Sequence, residues 1–207
     1  MPSEWLRRRK KDQFHLLAKE RGFRSRASFK LLQVAKRYRF IKRGDRLLDL
    51  GAAPGGWLQA AHQIVGGQGY VLGVDKEPIE DLPYQNVITI AADTTQSDVI
   101  ERIRSVSGSV FDVLVSDLSP NLSGVWDVDH ARQIELARTA LRIARAVLRP
   151  GGNMLVKVFQ GSDLKEFQIE MKSSFQTLRI VKPPASRPES AELYFLGLGF
   201  VGQSFEN

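Results

Sequence analysis

From residue 46 onward the chain alternates short apolar runs with longer stretches of helical spacing, and few architectures accept that alternation. Runs at Arg46–Leu50, Tyr70–Asp75, Val87–Ala91, Val110–Asp117, Asn153–Phe159, Phe175–Val181 and Glu192–Phe200 predict seven strands. Helices are expected between most of them, near 56–65, 97–105, 129–148 and 162–173, the third ending at the Pro-Gly-Gly of 150–152. Strand, helix, strand, repeated, implies an α/β fold: a mostly parallel sheet with helices on both faces. The last two runs are joined by a loop carrying Pro183, Pro184 and Pro188 but no helix, so an antiparallel pair at or near one edge is expected there.

Upstream of this alternation, Ser3, Glu4 and Asp12 with Trp5, Leu6, Phe14, Leu16 and Leu17 read as a basic helix that ends near Gly22. A second helix follows, with Ser25 as its expected cap and Ala27, Phe29, Leu31, Leu32, Val34 and Ala35 as its apolar stripe. Neither a repeat nor a low-complexity linker interrupts the 207 residues. A helical arm over 1–43 is therefore expected to pack on a core over 44–207, giving one domain.

Composition removes several classes. With 43% hydrophobic and 26% charged residues and no cysteine, the chain is not a disordered polymer, a disulfide scaffold, a thiolate zinc protein or a cysteine-nucleophile enzyme. His15, His62 and His130 stand far apart, without the spacing of a histidine metal site, so no metal is expected. No apolar run approaches the roughly 20 residues that span a bilayer, and the charged start MPSEWLRRRKK lacks a signal core. The expectation is a cytoplasmic, membrane-free monomer. The net charge is +7, but residues 1–43 hold fifteen Lys and Arg against Glu4, Asp12 and Glu20, a balance of +12 that leaves −5 for the remainder. That asymmetry suits a polyanionic partner, and a solvated helix face is the plainer alternative.

DLGAAPGGW, Asp49 to Trp57, stands where the first strand gives way to a helix. Gly51, Gly55 and Gly56 permit close backbone approach to a ligand, and the helix N-terminus favours an acidic group. The segment contains neither GxxxxGK(S/T) nor a clean GxGxxG, which argues against a P-loop NTPase and weakens a nicotinamide-dinucleotide reading. Asp75 closes the second run 24 positions after Gly51, where a carboxylate can accept from ribose hydroxyls; Asp93 follows the third and Asp117 ends the fourth. Each alone is equally a helix cap. Together at successive strand ends they suggest a nucleoside crevice. Lys157 is anomalous on other grounds, because it interrupts the apolar run MLVKVF, where unpaired lysines are rarely buried.

These features resemble Rossmann-like class I S-adenosylmethionine-dependent methyltransferases. DLGAAPGGW, SDLSP, LVKVFQG and SRPESAELY, preceded by SRASFKL in the basic arm, resemble more narrowly the FtsJ (RrmJ) family of RNA 2′-O-ribose methyltransferases, over nearly the whole chain. The resemblance implies a seven-stranded sheet with one antiparallel strand and a Lys-Asp-Lys-Glu catalytic set falling on Lys30, Asp117, Lys157 and Glu192. Cofactor contacts would fall on Gly51, Gly55, Gly56, Trp57, Asp75, Asp93 and Asp117. It also implies ribosomal RNA of the large subunit as partner, with a uridine of the peptidyl-transferase region as acceptor. A tRNA ribose methyltransferase of the same family is the alternative, and a non-catalytic RNA-binding module a more remote one. Lys157 is then either a neutral general base or a charged stabiliser of the developing alkoxide.

Overall fold

A computed structural model describes residues 12–187 and 189–202. The expected helical residues before Asp12, and Pro188 of the proline loop, lie outside the described residues. Seven strands form one sheet in the order β3-β2-β1-β4-β5-β7-β6. They are β1 (Arg46–Leu50), β2 (Tyr70–Asp75), β3 (Val87–Ala91), β4 (Phe111–Ser116), β5 (Leu148–Phe159), β6 (Phe175–Val181) and β7 (Glu192–Phe200). β1 to β5 pair in parallel, and β7 lies antiparallel between β5 and the edge strand β6. The expected sheet and its single reversed strand are therefore present.

Six helices are described: α1 (Gln13–Glu20), α2 (Ser28–Tyr38), α3 (Gly56–Val65), α4 (Val99–Ser107), α5 (Trp126–Val147) and α6 (Leu164–Ser174). They make three layers. Leu48 and Leu50 of β1 face a core built with Ile103, Ile134, Ala137 and Phe167 of α4, α5 and α6, while Leu47 faces Leu31, Val34, Leu58 and Ala61 of α2 and α3. Burial on both faces is why the central strands β1, β2 and β4 read as nearly unbroken apolar runs, each buried leucine contributing about 1.5–3 kcal/mol. Among the described residues no helix is long and apolar enough to cross a membrane.

Three local expectations need correction. Asp12 has extended backbone and its carboxylate accepts from His15 N, so α1 starts at Gln13 rather than continuing a helix from upstream. Ser25 does not cap α2, whose N-cap is Ala27 without a side-chain bond; the first amides bond back to Ser25 O, Arg26 O and Ala27 O instead. The Pro-Gly-Gly of 150–152 does not directly end the helix, which stops at Val147. It lies inside β5, where the register shifts between Phe111 and Val113 of β4 so that the extra residues bulge out.

The arm is fastened to the body at the glycine-rich turn. Trp57 Nε1 donates to Ala27 O at 2.7 Å, Arg24 N donates to Gln59 Oε1 at 2.7 Å, and Gln59 Nε2 donates to Gly22 O at 2.9 Å. Phe14, Leu17 and Phe23 pack around Ala18, Phe29 and Ala185 in a smaller cluster outside the main cores.

Candidate active site

The parallel strands β1 to β4 end along one edge of the sheet, and side chains from the turns that follow converge there. Gly51, Asp75, Asp93 and Asp117, joined by Arg132 and Glu135 of α5, line a cavity of about 540 Å³, within the range of small-molecule sites. Gly51 has φ of +79°, and a Cβ there would come within 2.9 Å of Leu118 N, so only glycine lets the β1 and β4 turns close together. Asp75 takes one amide on each oxygen, Ala53 N on Oδ2 and Glu77 N on Oδ1, both at 2.9 Å. Each oxygen keeps a lone pair for a further donor. Asp93 Oδ1 accepts from Thr95 N and Thr95 Oγ1, and these bonds hold the Asp93 carboxyl below its usual range.

On the other side of Asp117, β5 and β7 add a second group. Lys157 stands opposite Tyr194 in their register and is only 5% exposed. Its Nζ donates to Asp117 O at 2.7 Å and lies 3.3 Å from Asp117 Oδ1. Lys30, from α2, donates to Tyr194 Oη at 3.2 Å and pairs with Glu192 Oε1 at 2.6 Å. Tyr194 Oη in turn donates to Asp117 Oδ1 at 2.7 Å. A continuous chain thus runs from Glu192 through Lys30 and Tyr194 to Asp117 and Lys157. Burial pushes the Asp117 carboxyl up, but Lys157, Lys30 and the Tyr194 hydroxyl outweigh it and bring the net value below the usual range. Burial, followed by the Asp117 and Glu192 charges, pushes the Tyr194 phenol well above its ordinary value, so it stays a donor.

All four residues expected from the Lys-Asp-Lys-Glu pattern therefore meet, although they come from α2 and from the ends of β4, β5 and β7. Of the expected cofactor contacts, Gly51, Asp75, Asp93 and Asp117 line the cavity. Gly55, Gly56 and Trp57 do not: their side-chain positions face the arm, Gly55 beside Arg24 and Gly56 against Ser25 and Ser28, and the Trp57 ring is buried against Tyr194. What they can offer a ligand is main chain, the amides of the first turn of α3 having no partner four residues back.

Sequence reasoning passed over two residues. Tyr194 is the bridge between the lysines, and its position two residues beyond Glu192, on the same face of β7, was the available signal. Asp49 is fully buried with neither carboxylate oxygen bonded, and its carboxyl is pushed well above the usual range by burial, then by Asp117 and Asp75.

A model of the FtsJ-like methyltransferase family matches residues 23–200, which span Lys30, the glycine-rich turn and Glu192. The chain belongs to this family. Its similarity extends to archaeal proteins named ribosomal RNA large subunit methyltransferase E. That of Methanothrix thermoacetophila is 50% identical over 93% of this chain and 74% of its own length. That of Methanothermobacter thermautotrophicus is 44% identical over 98% of this chain and 96% of its own. Among solved structures, a Plasmodium falciparum protein described as a ribosomal RNA methyltransferase superposes with a TM-score of 0.78 at 25% identity, covering 87% of this chain and all of that one. Aeropyrum pernix fibrillarin, crystallised with S-adenosyl-L-methionine, shares the fold at a TM-score of 0.57 and 22% identity, over 84% of this chain and 75% of its own.

Proposed function

We propose that this methyltransferase moves a methyl group from S-adenosylmethionine to the 2′-oxygen of a ribose in large-subunit ribosomal RNA, in the cytoplasm, with a uridine of the peptidyl-transferase region as acceptor. The observation that carries the reading is the convergence on Asp117. On one side lies a crevice with carboxylates at the ends of β2 and β3; on the other lie the buried Lys157 and Tyr194, each bonded to Asp117, with the Lys30–Glu192 pair joined through Tyr194. The names of the archaeal relatives support ribosomal RNA as substrate.

The donor set suits the cofactor. Asp75 has lone pairs left for ribose hydroxyls, and the unbonded Oδ2 of Asp93 suits an exocyclic amine. When bound, S-adenosylmethionine supplies a methyl on a sulfonium, open to in-line displacement. Alignment of the acceptor is then the main task of the protein. Lys157 Nζ donates to Asp117 O at 2.7 Å and lies 3.3 Å from Asp117 Oδ1, which leaves a position on the nitrogen for the acceptor oxygen. With the Asp117 carboxylate beside it, we read Lys157 as the group that stabilises the developing alkoxide. Glu192, fixed by Lys30 and by Ser186 Oγ at 3.0 Å, orients Lys30 beside the acceptor.

The test supplies labelled S-adenosylmethionine to intact large subunits, naked ribosomal RNA and tRNA in parallel, and maps the product as a 2′-O-methyl nucleotide. Transfer to a uridine of the large subunit is the expected result. Transfer to tRNA alone, or to a base, would refute the reading.

A further inference from the structure

Trp126 differs from the other described tryptophan, Trp57: it is 49% exposed, whereas Trp57 is 3% exposed. It begins α5, and its ring stacks on Phe159 with centroids 6.0 Å apart and planes 19° from parallel. Leu122, Val125 and Val128 are exposed close to it in sequence, so the apolar surface extends along the same turn. That turn is held in place: Asp129 accepts from Ser123 N and Ser123 Oγ at 2.7 and 2.8 Å, and from Gly124 N at 3.1 Å. An exposed aromatic on a pinned turn calls for a ligand with an apolar face.

Its placement says which ligand. Phe159 is the last residue of β5, two beyond Lys157, and stands opposite Glu192 in the β5–β7 register. The stack therefore borders the Asp117–Lys157 group on the β5–β7 side, away from Asp75 and Asp93 on β2 and β3. Glu192 also lines a cavity of about 200 Å³ with Arg26, Lys30 and Arg187. One carboxylate thus has an aromatic platform as its strand neighbour and a cluster of cations as its cavity neighbours. A nucleotide carries a flat π face and a phosphate a short distance apart, and single-stranded nucleic acid is gripped by this pairing of aromatic and basic groups.

We propose that Trp126, backed by Phe159, is a stacking platform for an unpaired base of the RNA strand whose ribose reaches Asp117 and Lys157. The proposal rests on the RNA methyltransferase reading and adds the requirement that the acceptor strand be unpaired at this point. The experiment compares the parent protein with Trp126→Ala and Trp126→Phe, measuring affinity for single-stranded oligoribonucleotides, for duplex RNA of the same composition and for an abasic ribose-phosphate oligomer. Trp126→Ala is expected to weaken single-strand binding about 5- to 150-fold, the range for loss of one base–aromatic stack. Duplex, abasic and cofactor affinities and the melting temperature are expected to hold, and Trp126→Phe to restore most of the loss. Equal weakening for all three RNAs, or none, overturns the platform. So does normal RNA affinity with loss of binding only to protein-containing subunits, which would assign the patch to a ribosomal protein. Methyl transfer by the parent is measured alongside. A parent that stacks bases through Trp126 without methylating ribose keeps the platform and refutes the enzyme reading; a methylating parent with an indifferent Trp126 does the reverse.

Discussion

Asp117 holds the site together because its main-chain oxygen takes Lys157 while its Oδ1 takes Tyr194 and also lies near Lys157, and this sets what each substitution should do. On the proposed role, Lys157→Ala removes the donor for the acceptor oxygen and should lower kcat by about 100- to 1000-fold, the usual loss for one transition-state donor, with RNA KM changed much less. Lys157→Arg keeps the charge and should retain more activity than Ala, without a titration near neutrality; an inactive Arg variant together with a parent rate that rises through pH 7 would favour the neutral base. Because the Asp117 carboxyl is held below its ordinary value, its ion pairs are intact above the usual carboxylate range and are lost only as the pH falls through that lowered value. Single-turnover profiles should accordingly show no acid limb from Asp117 near neutrality. Asp49 has the opposite sign. Its folded value is raised, so its protonated form fits the fold below the unfolded value of about 3.9, and the fold pays an increasing penalty as the pH rises from there. Asp49→Asn should therefore raise the melting temperature of the ligand-free protein at neutral pH, with the gain shrinking toward pH 4. A constant gain across that range would mean that the buried carboxyl is not the cause.

At the scale of elements, the joint between α2 and α3 depends on the absence of a side chain at Gly56. A Cβ there would lie 2.2 Å from Ser25 Oγ and 2.9 Å from Ser28 Oγ, and Ser28 Oγ already approaches Gly56 O to 2.8 Å. Gly56→Ala must displace the Ser25 and Ser28 hydroxyls or the arm that carries them, at about 1–3 kcal/mol for overpacking, and thermal denaturation should show the loss. Because Lys30 rides on α2, methyl transfer should fall more than cofactor affinity; equal effects on both would place the damage in the crevice instead. The same joint shows what could be read from the sequence and what could not. Strand ends such as Asp75 and Asp117 were legible because an apolar run buried on both faces stops where the chain emerges, and a carboxylate there stands out; Asp93 was legible only as the first charge after the apolar run of the half-exposed edge strand β3. The glycine-rich turn was legible as a close approach, yet whether it approaches ligand or protein depends on an arm whose docking is a tertiary fact. Ser25 failed as a cap for the same reason: local chemistry favoured it, and packing against Gly56 took its place. Tyr194 was hidden among the aromatic and apolar residues of LYFLGLGF, where alternation gives its face but nothing in the pattern separates a bridging hydroxyl from a core ring.

Over the whole molecule, charge is divided between arm and body, and the division predicts how RNA is held. Residues 1–43 carry +12 and the remainder −5, so on the proposed reading the arm neutralises phosphates while the crevice lined by Asp75, Asp93 and Asp117 takes the cofactor rather than the RNA backbone. RNA affinity should fall steeply as salt is raised, because each neutralised phosphate contributes about 0.9 to the log-log slope on a duplex and about 0.7 on a single strand. Replacing Arg7, Arg8, Arg9, Lys10 and Lys11 with alanine should flatten the slope by up to about 4 if all five meet phosphates. Cofactor affinity, which the proposed reading places on the far side of Asp117, should stay as it was. Isothermal calorimetry with S-adenosylmethionine and filter binding with ribosomal RNA, each at several salt concentrations, separate the two effects. A shallow slope in the parent would mean that the arm is a solvated face and that RNA is held by contacts at the site itself. A slope unchanged by the five substitutions would move the phosphate contacts to the later arm residues, among them Arg26 and Lys30, which already line the small cavity beside Glu192.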